Sequence, residues 1–459
     1  MSILFLMFAT LVFGCVVIMT QVVAIKRQNR INLINIFALM YGITYGILTF
    51  IYTFMYEFMG VKVHRIDYSQ TGINALWFWF MLSVFGYVFV LIFYNLTLKK
   101  NAGTAELPAI DDTEDSNRDY RRLQFTAVVC LIVGSVSLYL WARAYGGIFE
   151  LIKVANIVRS GRHDVVNSLA FFKHPAKVVT FVSYIFLYLL KNKYHVVANV
   201  LLFGGSATLA VLYLLASDGR MTTVTYFVIL FFILVDMFAN KIDVTKKLGK
   251  IVVLGVVATV VILNLDAITH FIRTGEALEA ISEEDSSLLG ELSFIPAAGQ
   301  TSIKNMLENG SENLLFHDIL SAVFAWVPSS LTPDGLVDIW DYNTFVFSGS
   351  TKRGQLPTDF ISTSVYDLGV FGIILLPLIW SRVIKIMDKT RRNGNSAFFK
   401  IAFCAFAMSV FRLPEYCMMA DFVLSAFNIF VAGVVWKVSA LFIPNKEEKA
   451  ETVKGAFRK

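Results

Sequence analysis

Apolar runs of roughly 20 residues recur from one end of this chain to the other, which is the length a helix needs to cross a bilayer. Strong runs cover 3–24, 33–55, 75–96, 123–141, 196–216, 221–238, 361–380 and 422–442, and shorter ones cover 176–190, 251–265 and 398–411. Hydrophobic residues make up 56% and charged residues only 16%, too little polarity to clothe a water-soluble chain of this length. The sequence therefore predicts an all-α integral membrane protein with about 11 (10–12) transmembrane helices in a single polytopic domain, residues 1–459. The first run has no charged leader and no small-residue cleavage site, so it reads as a retained helix.

Orientation follows from lysine and arginine, which accumulate on the cytoplasmic side. If "KRQNR" at 26–30 is inside, alternation places 98–122, 191–193, 240–250, 381–395 and the tail 444–459 inside as well. On that reading 26 of the 40 Lys and Arg residues lie inside and 14 outside. The net charge of +6 is then mostly a topology signal, and nucleic acid is not an expected partner. Outside, arginine outnumbers lysine. Its planar fork suits phosphate or carboxylate, so the bias points to an anionic ligand on that face.

Two outer segments result. The first, 142–175, contains a loosely amphipathic stretch with Ile148, Leu151, Ile152, Ala155 and Val158 on one side, as an interfacial helix has. The second, 269–360, is too long for a plain connection and should contain short helices. It holds thirteen Asp and Glu against Arg273, Lys304, Lys352 and Arg353. The inner 101–119 stretch is polar and acidic, like a linker.

Cys15, Cys130 and Cys404 fall in apolar runs and Cys417 in a short turn, with no disulfide or zinc spacing. The six histidines lack ligand spacing, and no glycine-rich nucleotide loop appears in a credible context. No metal, nucleotide or other cofactor is expected. Charged groups instead gather at outer helix ends: Arg143, Arg220, Asp359, Asp367, Arg412, Glu415 and Asp421. Charges prefer helix ends in any membrane protein, so the set carries the signal, as an outer-interface enzyme acting on a lipid-linked substrate would have it.

Three stretches complete the picture. "ARAYGGIFELIKVANIVRSGRH" leaves a helix at Arg143 and ends with Arg159, Arg162 and His163. "ASDGRMTT" is a tight turn carrying Asp218 and Arg220. "SGSTKRGQLPTDFISTSVYDLGVFG" brings Arg353 and Asp359 to the start of an apolar run. In their order and spacing these resemble the bacterial O-antigen or oligosaccharide repeat-unit polymerases, over the whole length of the chain. The third is similar to that family's G-x-x-P-x-D…LG-x-x-G element.

The resemblance implies an enzyme of the cell inner membrane, with its active site facing the periplasm. It would move a growing glycan from undecaprenyl diphosphate onto the sugar of another lipid-linked repeat unit, without metal and in contact with membrane lipid. A chain-length regulator protein is a possible partner. It places Arg159, Arg162, Arg220 and Arg353 near the diphosphate, with Arg143, Arg273 and Arg412 as secondary candidates. Asp359 is a candidate general base, with His163 as substitute. "TD" before an apolar run is equally what a helix N-cap looks like. An O-antigen ligase would share donor and arginines and differ in acceptor. A lipid-linked oligosaccharide flippase or polysaccharide exporter would call for charges lining a central path, which the runs lack.

Overall fold

The computed structural model describes residues 2–63, 65–96, 113–159, 168–217, 220–238, 292–308, 314–315, 317–325, 327, 333, 336–349, 356–393 and 396–443; at 113–116, 156–159, 168, 220–221 and 392–393 it describes the backbone alone. The described residues are helical, without strands. Helix α1 is Ile3–Gln28. Helix α2 (Leu33–Tyr41) continues through a π-helical segment (Gly42–Leu48) into α3 (Thr49–Met59). Then come α4 (Gln70–Leu96), α5 (Thr113–Arg143), α6 (Ile148–Arg159), the four-residue α7 (Lys173–Ala176), α8 (Val178–Lys191), α9 (Val196–Ser217) and α10 (Arg220–Leu234). Within 269–360 lie α11 (Phe294–Glu308), α12 (His317–Phe324) and α13 (Ile339–Ser348). The chain closes with α14 (Phe360–Leu368), α15 (Gly372–Asn393), α16 (Ala397–Arg412) and α17 (Met419–Phe442).

Seven of these elements are long and apolar enough to cross a membrane: α1, α2–α3, α4, α5, α9, α14–α15 and α17. Helices α8, α10 and α16 are shorter, at 14, 15 and 16 residues. The expected run 251–265 and the tail 444–459 lie outside the described residues. Outer helices turn large apolar side chains outward, with Phe5, Phe8 and Met19 on α1 and Val197 and Leu201 on α9 all more than half exposed. Such a belt suits hydrocarbon, not water.

The short helix α8 shows why length alone misjudges a span. It is apolar all round, and every residue from Val178 to Leu189 is buried, as expected of a helix enclosed by others. It stands at the centre of one packed cluster with α5, α9, α10, α16 and α17. A second cluster gathers α1, α2, α4, α14 and α15, and α16 contributes to both. Hydrocarbon tails are as apolar as leucine, so close approach rather than hydrophobic burial holds such helices together. Where α1 crosses the π-helical segment, a Cβ on Gly46 would lie 2.3 Å from the Gly14 Cα. The run 361–380 is also broken: Gly369 at φ +60 ends α14, and a Cβ on Gly372 would meet the Ser364 carbonyl oxygen at 1.9 Å.

The two ends of the bundle differ chemically. At one end cations cap helix C-termini, which carry unpaired carbonyls and partial negative charge. Arg122 donates to the Trp436 carbonyl at 2.8 Å, Lys191 to Ile233 at 2.7 Å and Lys385 to Tyr94 at 2.8 Å. Asp388 accepts from the Leu33 backbone and the Tyr94 hydroxyl, both at 3.0 Å. The opposite end carries α6, α7 and α11–α13.

Candidate functional site

At this second end, four helix termini that are distant in sequence converge: the starts of α8, α10 and α17 and the end of α16. Between them lies a cavity of about 90 Å3, room for several waters. Its wall is unusually polar for a membrane protein. Lys177, Arg412 and Asp421 supply charge, and Thr222, Ser409 and Ser425 supply hydroxyls. Voids that stay empty are apolar; one lined this way holds water or a polar ligand.

Each charged group arrives by a local cause. Lys177 joins α7 to α8 with a helical backbone, and among the described residues its ammonium reaches Ser425 Oγ, at 3.5 Å. Arg412 ends α16, where a cation meets the helix's negative pole. Its guanidinium carbon lies 4.7 Å from the Tyr416 ring centroid, and its buried Nε has no hydrogen-bond partner among the described residues. Buried donors are almost always satisfied, so this guanidinium, which lines the cavity, is not fully committed to partners among the described residues. Asp421 sits in the first turn of α17, whose positive pole favours the carboxylate. Nearby, the His174 imidazole is pushed down to about 4, first by burial and then by Lys173 and Lys177. On the wall itself two cations accompany one carboxylate, which suits an anion, while Glu415 acts on Arg412 and Asp338 on Asp421 from outside the wall.

The stretch "PTDFIS" supports this wall from behind. Asp359 is the N-cap of α14 and fully buried. It accepts from the Ile361 and Ser362 backbone N–H groups at 2.9 and 3.1 Å, from the Tyr45 hydroxyl at 2.8 Å, from Trp79 Nε1 at 3.2 Å and from the Ser362 hydroxyl. Tyr45 also donates to the Pro414 carbonyl at 3.2 Å. Thr358 exchanges hydrogen bonds with Cys417: the Cys417 N–H donates to the Thr358 carbonyl at 2.9 Å, and the Thr358 hydroxyl donates to the Cys417 carbonyl at 3.1 Å. Asp359 thus holds α14 against the 413–418 turn that follows Arg412, and it is not on the cavity wall. Helices α11 and α13 reach the same turn, with Phe294 and Trp340 ring centroids 4.9 and 6.1 Å from Tyr416.

Two further carboxylates belong to this turn. Asp318 on α12 accepts the Met419 N–H with both oxygens, at 3.1 and 3.0 Å, and so caps α17 from outside. Burial, and then Asp367, raise its pKa well above the usual range. Glu415 is buried and pushed up to about 7 by that burial, with Arg412 opposing.

Of the expected site residues, the structure brings Arg412 to the cavity and puts Asp359 behind it. Arg143 is exposed at the end of α5. Arg159 ends α6 and Arg220 begins α10, each described by its backbone alone; α10 itself lines the cavity through Thr222. Arg162, His163, Arg273 and Arg353 lie outside the described residues. Lys177 was not among the expectations; its signal is a lysine inside the 176–190 apolar run, a costly position in lipid. Among the described residues no three His, Cys, Asp or Glu side chains converge as metal ligands would. No family model, curated protein or solved structure matches the chain.

Proposed function

We propose that this chain is a membrane glycosyltransferase that lengthens lipid-linked glycans. In this reading the basic end of the bundle faces the cytoplasm, following the positive-inside rule. The cavity end then faces the outer side of the bacterial inner membrane. In this reading the seven long apolar elements, the shorter α8, α10 and α16 and the 251–265 run together make eleven spans.

The observation that carries the proposal is the pair of cations at the cavity, Lys177 and Arg412, with the Arg412 Nε unpartnered. The donor in such a reaction is a glycan on undecaprenyl diphosphate, and the acceptor is a sugar hydroxyl on a second lipid-linked unit. As the anomeric C–O bond breaks, negative charge grows on the departing diphosphate. Fixed cations at that point stabilise the transition state more than the ground state, which is what accelerates the step. The diphosphate already activates the donor, so nucleotide has no part in the step. Arg159, Arg162, Arg220 and Arg353, which the family resemblance places near the diphosphate, add to the same field. The lipid tail lies along the exposed apolar faces of the helices, and the glycan lies under α11–α13.

The test is direct. Purified protein is mixed with undecaprenyl-diphosphate-linked oligosaccharide extracted from cells lacking this chain. Ladders of longer lipid-linked glycans are expected, with chelator present and no nucleotide. Strict dependence on ATP, or transfer only to a lipid that carries no repeat unit, would contradict the proposal; the second result is that of a ligase.

A further inference from the structure

We infer that Asp421 is the general base that takes the proton from the acceptor hydroxyl; this rests on the glycan-lengthening reading above. Three observations lead to it. First, a base needs free lone pairs on the wall of the reaction space. Asp421 lines the cavity, whereas Asp359 lies behind it with its carboxylate engaged by five donors.

Second, the position of Asp421 would normally commit it to helix capping, and the fold releases it from that task. It stands in the first turn of α17, where acidic side chains often bind free N–H groups. Here Asp318 reaches across from α12 and takes the Met419 N–H with both oxygens. The Asp421 carboxylate makes no hydrogen bond and no ion pair with any described residue. A second acid brought in to cap the helix leaves the first one free.

Third, the charges around it suit the role. Lys177 and Arg412 share the cavity with Asp421, which stands at the positive pole of α17, and Asp338 at the start of α13 is the acid that acts on it from outside the wall. Neither cation neutralises it in a contact pair. In this proposal the same cations take the leaving diphosphate while the carboxylate takes the acceptor proton.

The step balances as follows. The acceptor O–H proton passes to a carboxylate oxygen of Asp421, and the freed electron pair forms the new bond to the anomeric carbon. The bond from that carbon to the diphosphate oxygen breaks, and its pair leaves on the diphosphate. Asp421 returns its proton to water after the product departs.

The experiment compares wild type with Asp421→Asn and Asp421→Glu in the elongation assay described above, across pH. Asparagine matches aspartate in shape, and the Asp421 carboxylate makes no hydrogen bond or contact ion pair with a described residue, so melting temperatures are expected to lie close together. Asp421→Asn is expected to lower kcat by about 10²–10⁴-fold, the usual worth of general-base catalysis, with KM within a few-fold. It should also abolish the acid limb of the rate profile, and Asp421→Glu should restore part of the turnover with a shifted limb. If wild type elongates and Asp421→Asn keeps comparable turnover, or loses turnover with the acid limb unchanged, the base assignment is overturned while the proposed function stands. If wild type elongates at no pH, both fall.

Discussion

The carboxylate of Asp359 takes the N-cap position of α14, one of the two readings that "TD" before an apolar run allows. Its five donors come from its own helix start, from Tyr45 on the π-helical segment and from Trp79 on α4. Replacement by alanine removes the cap and strands a buried phenol and indole, so Asp359→Ala is expected to cost about 3 kcal/mol or more, read as a lower melting temperature. Asp359→Asn keeps most of the cap and should stay within about 1 kcal/mol. Equal melting of all three forms would show that the network bears no weight. Glu415 makes a separate prediction. Burial lifts its carboxyl from 4.5 to about 7. Between those values the folded chain binds more protons than the unfolded one, so stability from this group is greatest in acid and falls as pH rises through that window. Wild type in detergent should therefore lose more melting temperature between pH 5 and pH 8 than Glu415→Gln does. An identical slope in the two would contradict this.

At the scale of elements, the crossing of α1 with the π-helical segment sets the position of Tyr45 and through it the start of α14. A Cβ on Gly46 would lie 2.3 Å from the Gly14 Cα and 3.0 Å from the Thr10 carbonyl oxygen, so neither helix can yield locally. Gly46→Ala is expected to destabilise by about 1–3 kcal/mol, as overpacking does. Gly204→Ala, where nothing lies within 4 Å, should be neutral or slightly stabilising through helix propensity; matched melting of the two variants would exclude a tight crossing. The apolar runs disclosed the long helices because their length answers to the bilayer. The break at Gly369 was not legible, since φ +60 follows from how α14 meets α15. Helix α8 and Lys177 were obscured for a similar reason. A short run with a lysine looks weak as a span, and only enclosure by five neighbouring helices makes it the centre of a cluster.

For the whole molecule, polarity along the bundle was readable from the placement of Lys and Arg, and the structure gives it a local chemistry in cations set on C-terminal carbonyls. The cavity was not readable. Lys177, Arg412 and Asp421 span more than half the chain and meet only because α8, α16 and α17 end at one level, so no motif spacing connects them. Arg412 appeared in sequence as one helix-end charge among several, and its orphan Nε is what singles it out. The central claim is that these cations act on a lipid diphosphate. The most direct measurement is glycan length in cells lacking the native copy and supplied with wild type, Arg412→Ala, Arg412→Lys or Lys177→Met at matched membrane levels. The account predicts long chains from wild type, about 10²–10³-fold less elongation from Arg412→Ala, the usual loss of one charge-stabilising donor, and partial recovery with Arg412→Lys, because a point charge replaces a planar fork. Normal long chains from both Arg412→Ala and Lys177→Met would contradict it.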